Sequence, residues 1–338
     1  MDTVLINEND EEQLLKAAEL IKNGEIVGMP TETVYGLAAD ACNETAVATI
    51  FKAKGRPSDN PLIVHLSRFS DAEKYTGNIP ALAYKIAENF CPGPITMILP
   101  KNDKIPYITS GGLDTVGIRI PAHKTARKII ELSGCPIAAP SANTSGYPSP
   151  TSAKHVMYDM NGKIPAIVDG GDCKCGVEST VISFDDENTV RILRPGFITK
   201  ENLNSLGCNV IVDNAILHEV AEGERVSSPG MKYKHYSPSA KVTLVEGTSD
   251  SFSCFAETKK SKDTYFLIFD NDKLNSDCNF LTYGSDSAQQ AHNIFSKLRE
   301  LDSLGAKNVY VRVPDKNGIG LAVYNRLIRA AGFEVIKV

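Results

Sequence analysis

A cluster of cationic side chains lies in the segment FKAKGRPSDNPLIVH (51–65), where Lys52, Lys54 and Arg56 stand close together. An ammonium group and a guanidinium group recognise oxyanions in complementary ways, the first as a point charge and the second as a planar fork. A solvated basic face would also explain such a cluster. However, a glycine and a proline fix the shape of this loop, which a solvated face does not require. The segment therefore favours a site for a polyphosphate or a similar anion.

Further turns rich in polar side chains follow other predicted strands, and α/β sheets usually bind their ligands at such strand ends. Ser141 and Asn143 are two residues apart, so an extended backbone would point both to the same side. A plain loop rich in Ser, Asn, Gly and Pro is the alternative. Arg119 lies in an apolar strand, where its charge needs a partner, either a protein carboxylate or a substrate carboxylate. The turns are MPTETVYGLA (29–38), DTVGIRIP (114–121), PSANTSGYPSPT (140–151), DGGDCKCGVESTV (169–181) and LRPG (193–196).

Several well-known nucleotide and hydrolase motifs do not occur in the sequence. There is no G-x-x-x-x-G-K-[ST] loop, no H-E-x-x-H and no G-x-S-x-G. NGIGLAV (317–323) has Val323 where the dinucleotide fingerprint needs a third small residue, so a strand-to-helix turn is the favoured interpretation. No Ser-His-Asp arrangement emerges either. The pattern therefore favours chemistry by positioning and electrostatics over a covalent intermediate.

Composition and charge limit the classes of protein to which this chain can belong. Its 338 residues favour two domains, and 42% hydrophobic with 23% charged residues is typical of a globular protein. The formal net charge of -5 argues against a uniformly phosphate-binding surface, although a local basic groove fits the same sum. The eight cysteines are scattered along the chain, which suits reduced thiols rather than a disulfide framework, and they include no Cys-x-x-Cys pair of the kind that a zinc ribbon needs. No leader-like or membrane-spanning apolar run is visible, so we expect a cytoplasmic protein.

Two blocks of predicted elements must hold these turns. Up to about residue 200, short apolar runs alternate with amphipathic ones, and the hairpin pattern of ESTVISFDDENTVRILRPG (178–196) indicates a mixed sheet. After a weakly periodic stretch, four short strand patterns are separated by helical ones, which indicates a small parallel Rossmann-like unit. The predicted organisation is an α/β catalytic domain (1–205), a linker (206–240) and a C-terminal α/β domain (241–338). The four strand patterns are KVTLVEG, TYFLIFD, NVYVRV and FEVIKV.

Seven short segments follow each other along the first 200 residues. They are PTETVYGLA, KAKGRPSDNPLIVH, PGPIT, GIRIP, PSANTSG, GVESTV and LRPG. In this order they resemble the YrdC-type threonylcarbamoyl-AMP synthases, and the linker and C-terminal unit look like the long, two-domain form of that family. The resemblance implies an α/β fold in which a YrdC-like mixed twisted sheet is joined by a linker to a smaller Rossmann-like parallel α/β domain.

The resemblance also implies an activity, namely the condensation of L-threonine, bicarbonate or carbon dioxide (CO2), and ATP into L-threonylcarbamoyl-AMP with release of pyrophosphate. In that family the product supplies the threonylcarbamoyl group of a modified adenosine beside the anticodon of certain tRNAs. The implied partners are these substrates, together with tRNA or the downstream threonylcarbamoyl-transfer machinery. Magnesium (Mg2+) is the implied cofactor and would bridge the ATP phosphates. An adenylation transition state spreads negative charge over the phosphates, so held cations would provide most of the acceleration.

The family's functional positions carry over onto matching residues of this chain. The resemblance implies catalytic roles for Lys54, Arg56, Ser141 and Asn143. It implies ATP-binding roles for Arg56, Asn60, Thr115, Ser141, Ser149, Arg194 and Tyr236. It implies L-threonine-binding roles for Thr33, His65, Arg119, Ala139 and Ser179. Within that last set, Arg119 would take the substrate carboxylate.

The linker segment SPGMKYKHYSP (228–238) carries two tyrosines, two lysines and a histidine between its prolines. These side chains could fold back over the nucleotide, where aromatic rings stack and lysines meet phosphates. The resemblance supports a nucleotide contact here, first of all by Tyr236. The alternative is that the tyrosines only dock the linker onto the first domain. The side chains are Lys232, Tyr233, Lys234, His235 and Tyr236.

Two other function classes fit parts of the pattern. One is an RNA-binding module with a structural C-terminal domain, in which the basic residues of 51–65 follow a nucleic acid backbone. The other is a carbamoyltransferase of the hydrogenase-maturation kind, but those chains carry zinc-binding Cys-x-x-Cys pairs that this sequence does not have. For the C-terminal unit, a structural or oligomerising role is the alternative to a catalytic one.

Overall fold

The computed structural model describes residues 2–218 and 236–338. Their strands form two sheets, one of eleven strands and one of five. The strands of the larger sheet are β1 (Val4–Asn7), β2 (Val27–Met29), β3 (Gly36–Asp40), β4 (Ile63–His65), β5 (Ile95–Pro100), β6 (Thr115–Arg119), β7 (Ile137–Ala138), β8 (Ala166–Asp169), β9 (Thr180–Phe184), β10 (Thr189–Arg194) and β11 (Asn209–Val212). The strands of the smaller sheet are β12 (Lys241–Glu246), β13 (Thr264–Ile268), β14 (Asn279–Thr282), β15 (Asn308–Arg312) and β16 (Val335–Lys337).

Helices connect these strands and complete two units. We call residues 2–218 the N-terminal unit and residues 241–338 the C-terminal unit. The helices of the N-terminal unit are α1 (Glu11–Lys22), α2 (Glu44–Lys54), α3 (Ala81–Phe90), α4 (Tyr107–Ser110), α5 (Lys124–Ser133), α6 (Ala153–Met160) and α7 (Lys200–Asn204), with short 3-10 helices at Phe69–Lys74 and Asn214–Ile216. The helices of the C-terminal unit are α8 (Ser249–Lys259), α9 (Ser287–Ser303) and α10 (Gly318–Ala330).

The larger sheet is mixed, as the hairpin pattern predicts. Its order is β1-β8-β2-β3-β7-β4-β6-β5-β9-β10-β11, with parallel pairs such as β4 with β6 and antiparallel pairs such as β9 with β10. The smaller sheet is parallel throughout, in the order β14-β13-β15-β12-β16. Both sheet types predicted from the sequence are therefore confirmed.

Part of the predicted linker belongs to the larger sheet. Residues 209–212 form β11, which pairs in parallel with β10 at the edge of that sheet. The linker residues Lys232, Tyr233, Lys234 and His235 lie outside the described residues. The boundaries 1–205, 206–240 and 241–338 stay a prediction.

The end of α2 brings the basic cluster to the site. The Asn43 side chain caps the start of the helix by accepting hydrogen bonds from the amides of Thr45 and Ala46. At the other end Gly55 adopts a left-handed conformation with φ of 63°, a backbone geometry that glycine adopts at little cost. Lys54 is thus the last residue of the helix, and the chain turns away from it immediately before Arg56.

The two units share a hydrophobic core. Val34 and Val177 of the N-terminal unit belong to the same buried cluster as Tyr236 and as Phe295 and Leu327 of the C-terminal unit. Burial of apolar surface between the units stabilises one arrangement of their helices and strands. Within the ranges 2–218 and 236–338, no helix combines the length and the apolar character needed to cross a membrane.

Candidate active site

Most of the predicted site residues line one cavity. The turns meet because their strands are neighbours, since β7, β4 and β6 are adjacent in the sheet and His65 of β4 lies beside Arg119 of β6. β4 and β6 are parallel, so His65 and Arg119 lie at the same edge of the sheet. β7 runs antiparallel to β4, and the turn that follows β7 begins beside the start of β4, where the amide of Ala139 donates to the carbonyl of Ile63 at 3.1 Å. The predicted residues that line the cavity are Arg56, His65, Arg119, Ala139, Ser141, Asn143, Ser149, Ser179, Arg194 and Tyr236.

Lys54 lies behind the cavity wall and holds the turn that forms it. Its buried ammonium group donates to the carbonyl of Ser141, to the carbonyl of Asn143 at 2.7 Å and to the Oδ1 atom of Asn143 at 3.3 Å. The Asn143 amide in turn donates to the carbonyl of Tyr147 at 2.8 Å. Burial, together with the nearby Arg56, lowers the pKa of Lys54 well below its usual value. The geometry makes Lys54 the anchor of the Ser141–Asn143 turn.

Arg56 lies in the cavity wall and braces its own loop. One of its terminal nitrogens, Nη2, lies 3.3 Å from the carbonyls of both Asn60 and Pro61. The Asn60 side chain is buried, and neither of its amide atoms has a hydrogen-bond partner among the described residues. Buried amides are normally paired, because leaving them unpaired costs free energy. The loop therefore holds a cation and an unsatisfied amide close to each other.

Arg119 has a protein carboxylate as its charge partner. Its Nη2 atom donates to Glu32 at 2.8 Å, and both side chains are buried. The second oxygen of Glu32 accepts the amide of Ala122 at 3.0 Å. An arginine carries five N–H donors, and the Nε atom of Arg119 has no hydrogen-bond partner within the described ranges. Glu32 thus orients a guanidinium that still has donors for a second anion.

Ser179 connects the predicted threonine side of the cavity to the predicted ATP side. Its hydroxyl lies 2.8 Å from the hydroxyl of Thr96 and accepts from Nη2 of Arg194 at 3.1 Å. The Nε atom of Arg194 donates to the carbonyl of Ser179, also at 3.1 Å. Burial lowers the pKa of Arg194 to about 10, so this guanidinium keeps its charge at neutral pH.

Four predicted residues do not line the cavity, namely Lys54 and Asn60, described above, and Thr33 and Thr115. The buried Thr33 hydroxyl lies 2.9 Å from the hydroxyl of Thr31, which itself donates to the carbonyl of Val34. Thr115 is half-buried at the start of β6, opposite Pro100 of β5. Thr33 therefore supports the turn at 31–34 that presents Val34 to the cavity, and Thr115 lies at the far end of the strand from Arg119.

His65 is a neutral residue of the cavity wall. It is buried, and its Nδ1 atom lies 3.2 Å from the carbonyl of Ile63. Burial, reinforced by the charge of Arg119, lowers the pKa of His65 to about 3. The imidazole is therefore uncharged at any physiological pH and is a poor proton acceptor.

This shift predicts a specific loss of stability in mild acid. The unfolded chain binds a proton at His65 below its ordinary pKa of about 6.5, whereas the folded chain does not until about pH 3. Stability therefore falls as the pH drops through this window, by up to about 1.4 kcal/mol per pH unit from this one group. We expect His65→Asn to show a shallower loss of denaturation midpoint between pH 6.5 and pH 5 than the unmodified protein. If the denaturation midpoints of the two proteins fell in parallel over this pH range, the assignment of the effect to His65 would be wrong. His155, another histidine with a lowered pKa, is present in both proteins and cannot cause a difference between them.

Glu178 is a cavity residue to which the sequence motifs give no role. It is buried, lines the cavity, and accepts the hydroxyl of Ser149 at 2.5 Å and Nε of Arg326 at 2.9 Å. Burial alone would raise the pKa of Glu178, but the charges of Arg326 and Arg194 and the hydrogen bond from Ser149 outweigh it, so the pKa lies below its usual value. The signal was present in GVESTV, where a carboxylate stands immediately before a buried strand and needs a partner.

Among the linker side chains that could fold back over the nucleotide, Tyr236 is the one within the described residues. Its buried ring lines the cavity and stacks on Phe295 of α9, with centroids 5.2 Å apart. Its φ of 64° is in the left-handed region, which is uncommon for a tyrosine. The ring therefore packs against the C-terminal unit as well as near Val34 and Val177, and not on the first domain alone as the docking alternative had it. The same ring also borders the cavity.

Comparisons with known proteins agree with this architecture. One matching family model, described as Telomere recombination, covers residues 19–196, and a second, described as Threonylcarbamoyl-AMP synthase, C-terminal domain, covers residues 198–332. The Threonylcarbamoyl-AMP synthase of Pyrococcus abyssi is 43% identical over 99% of this chain and 100% of its own length. That of Bacillus subtilis is 41% identical over 96% of this chain and 94% of its own length.

A solved structure extends the match to three dimensions. The crystal structure of P. abyssi Sua5 complexed with L-threonine superposes with a TM-score of 0.92 at 40% identity, covering 100% of both chains. The resemblance drawn from the seven segments is thereby confirmed. Because one family model matches more than half of the chain and closely similar relatives match nearly all of it, the chain belongs to the threonylcarbamoyl-AMP synthase family.

Proposed function

We propose that this chain forms L-threonylcarbamoyl-AMP and pyrophosphate from L-threonine, bicarbonate or CO2, and ATP. The observation that carries the proposal is a single cavity lined by three guanidinium groups, those of Arg56, Arg119 and Arg194. A triphosphate and an amino-acid carboxylate are both anions, and arginine binds phosphate and carboxylate oxygens with its planar fork. The names of the relatives and the threonine bound to P. abyssi Sua5 support the same reaction.

The contacts of each arginine suggest how the substrates divide the cavity. Arg119, oriented by Glu32, suits the threonine carboxylate, and Ser179 lies between it and the nucleotide side. Arg56 and Arg194 suit the phosphates. The buried amide of Asn60 would regain hydrogen bonds on nucleotide binding, which supports its predicted role.

The reaction then follows as two bond-forming steps. The threonine amine attacks the carbon of CO2, or of bicarbonate with loss of water, and yields a carbamate. A carbamate oxygen attacks the α-phosphorus, and the bond from that phosphorus to the bridging oxygen of pyrophosphate breaks. This makes the proposed class a nucleotidyltransferase. Fixed cations around the phosphates stabilise the charge that develops there, without reorganisation during the step.

We assign no general base to the amine. His65 has too low a pKa to accept a proton effectively, and Glu178 is already engaged by Ser149 and Arg326. Loss of the amine proton to solvent before attack remains compatible with all of these contacts.

Magnesium fits this site as a companion of ATP. In the parts of the chain that the structure describes, no group of three or more His, Cys, Asp or Glu side chains is arranged to hold a metal ion. Glu178, a carboxylate of the cavity wall, is engaged by Ser149 and Arg326. We therefore propose that Mg2+ enters on the phosphates, where it would neutralise their charge.

The proposed partners beyond the substrates are tRNA or the enzymes that transfer the threonylcarbamoyl group to it. The cytoplasmic location expected from the sequence likewise stays a prediction.

Pyrophosphate release measured with threonine, with serine and without an amino acid tests the activity. We expect release that requires ATP, bicarbonate and threonine and that is slower with serine. Pyrophosphate release at the same rate with threonine, with serine and without an amino acid would contradict the proposal. Salt-dependent RNA binding without any pyrophosphate release would instead favour the RNA-binding module.

Tyr236 offers a prediction about the nucleotide side. Tyr236→Phe keeps the ring that stacks on Phe295, whereas Tyr236→Ala removes it. We expect the phenylalanine variant to lose ATP affinity about threefold to tenfold, the effect of one neutral hydrogen bond, and to lose less of its thermal midpoint than the alanine variant does. The alanine variant should lose both affinity and stability. Unchanged ATP affinity in both variants would leave only the docking role for this ring.

A further inference from the structure

Arg326 of α10 reaches from the C-terminal unit into the wall of the active site. Its side chain is fully buried. Its Nε atom donates to Oε2 of Glu178 at 2.9 Å, and its Nη1 atom donates to the carbonyl of Pro195 at 2.7 Å. Pro195 directly follows Arg194, a residue of the cavity wall. One arginine thus contacts both the carboxylate and the backbone that border the predicted ATP side.

The contact continues from Glu178 to Ser149. The other carboxylate oxygen of Glu178, Oε1, accepts the Ser149 hydroxyl at 2.5 Å. Ser149 lines the cavity and lies between β7 and α6, in a segment of which we call residues 140–149 the 140–149 loop. Arg326, Glu178 and Ser149 therefore form one continuous chain of hydrogen bonds from the C-terminal unit to the cavity.

A second arginine of the C-terminal unit holds the same loop at another point. Arg299 of α9 binds both carboxylate oxygens of Asp159, at 3.1 Å and 2.6 Å, and also donates to the carbonyl of Pro148 at 2.6 Å. Asp159 accepts the backbone amide of Thr144 at 3.3 Å. A bidentate pair of this kind fixes orientation as well as distance. The 140–149 loop, which carries Ser141, Asn143 and Ser149, is thus tied to the C-terminal unit at both Pro148 and Ser149.

Buried ion pairs are poor devices for stability alone, because desolvation of the charges offsets their attraction. Here two such pairs cross between the units, and their carboxylates, Glu178 and Asp159, each accept a hydrogen bond from the 140–149 loop, at Ser149 and Thr144. Because both ion pairs connect to the same loop, they indicate a role in positioning that loop.

We propose that Arg326 and Arg299 are positioning residues that hold the 140–149 loop in its ATP-binding geometry and so make the C-terminal unit part of nucleotide recognition. This inference rests on the proposed function, because it assigns the partner of that loop as ATP. Neither arginine lines the cavity, so each acts through the residues it holds.

The test variants change each ion pair without leaving an unpaired buried charge. Glu178→Gln combined with Arg326→Met replaces the first pair by neutral groups, and Arg299→Lys keeps a charge beside Asp159 but loses the planar fork. Arg312→Met combined with Asp272→Asn is the matched control, because Arg312 pairs with Asp272 and lies over Phe269, both in the C-terminal unit and outside the 140–149 loop. All variants are made in the full chain.

For each protein we would measure ATP binding by calorimetry, KM for ATP and for threonine by pyrophosphate release, and the thermal midpoint. We expect KM and Kd for ATP to rise by roughly 10-fold or more, as for lost hydrogen bonds to charged groups, with KM for threonine within about twofold. Adding Ser149→Ala to the Glu178→Gln/Arg326→Met variant should change ATP affinity little further, because residues of one network are not additive. The control should keep both KM values.

Two results would overturn the inference. One is an ATP affinity in both pair variants equal to that of the Arg312→Met/Asp272→Asn control. The other is an equal rise in both KM values together with a lowered thermal midpoint, which is the behaviour of a purely structural contact. If the unmodified protein binds ATP but releases no threonine-dependent pyrophosphate, the proposed function fails, and the calorimetric comparison still decides the positioning role. If it does not bind ATP, both fall.

Discussion

Arg56→Ala is expected to lower kcat/KM for ATP by roughly 10²–10³-fold, the usual cost of removing one preorganised group from a charged transition state. The guanidinium lies in the cavity wall and its loop is braced through the carbonyls of Asn60 and Pro61. Charge builds up on the phosphates only as the α-phosphorus is attacked, so kcat should fall more than KM rises.

Lys52 provides the matched control for this substitution. It belongs to the same basic cluster and carries the same charge, but it is exposed at the surface of α2. Lys52→Ala should change kcat/KM by no more than about twofold, because exposed charges are screened by water and salt. Equal effects of the two substitutions would mean that the cluster acts through its overall charge, and the specific role of Arg56 would then be wrong.

Arg119→Lys is expected to raise KM for threonine by roughly 10–100-fold while leaving KM for ATP nearly unchanged. A lysine keeps a positive charge beside the buried Glu32, so the fold is spared an unpaired carboxylate. It cannot reproduce the planar fork that holds one carboxylate and presents donors to another. Lost hydrogen bonds to a charged group are worth about 1.5–3 kcal/mol, which corresponds to the stated range.

Steady-state kinetics would separate the two KM values. Threonine is varied at saturating ATP in one experiment, and ATP is varied at saturating threonine in the other. The variant Glu32→Gln is the companion measurement, because it keeps Arg119 but weakens its orientation. We expect it to raise KM for threonine in the same direction and by less. If either variant raised only the KM for ATP, the binding site of the threonine carboxylate would not be at Arg119.

Sequence patterns predict the sheet types well because these depend on local periodicity. The hairpin of β9 and β10 and the parallel strands β12, β13, β15 and β16 all carry strong apolar runs. Strand β14 was not predicted, since NFLT is short, partly polar and only half-buried at the sheet edge. Strand β11 lies in a stretch of weak hydrophobic periodicity. It too is an edge strand, and its residues alternate in exposure.

The site was predictable where residues lie at strand ends and unpredictable where contacts join distant segments. Arg56, His65, Arg119 and Ser141 converge because strand order brings their turns together. Lys54 was expected to meet phosphate directly, yet its ammonium is engaged by backbone and side-chain oxygens of residues 141 and 143. Nothing local in the sequence specifies that contact.

Arg326 is a site contact for which the sequence carries only a partial signal. Glu178 and Arg326 are 148 residues apart, so no spacing rule connects them. However, Arg326 lies on the same helical stripe as Ala322, Val323 and Leu327, all of which are buried. A charge on an apolar helix face requires a buried partner. The helix pattern therefore predicts that an acidic residue lies opposite, and only the folded structure identifies it as Glu178.

Product analysis tests the central claim most directly. The full-length protein would be incubated with carbon-13-labelled bicarbonate, threonine and ATP, and the nucleotide products separated and analysed by mass spectrometry alongside pyrophosphate. We predict a labile adenylate that contains both threonine and the labelled carbon, formed in equal amount with pyrophosphate. Two results would contradict this prediction. One is release of pyrophosphate while no threonine-containing adenylate carries the labelled carbon, and the other is the absence of any threonine-dependent product.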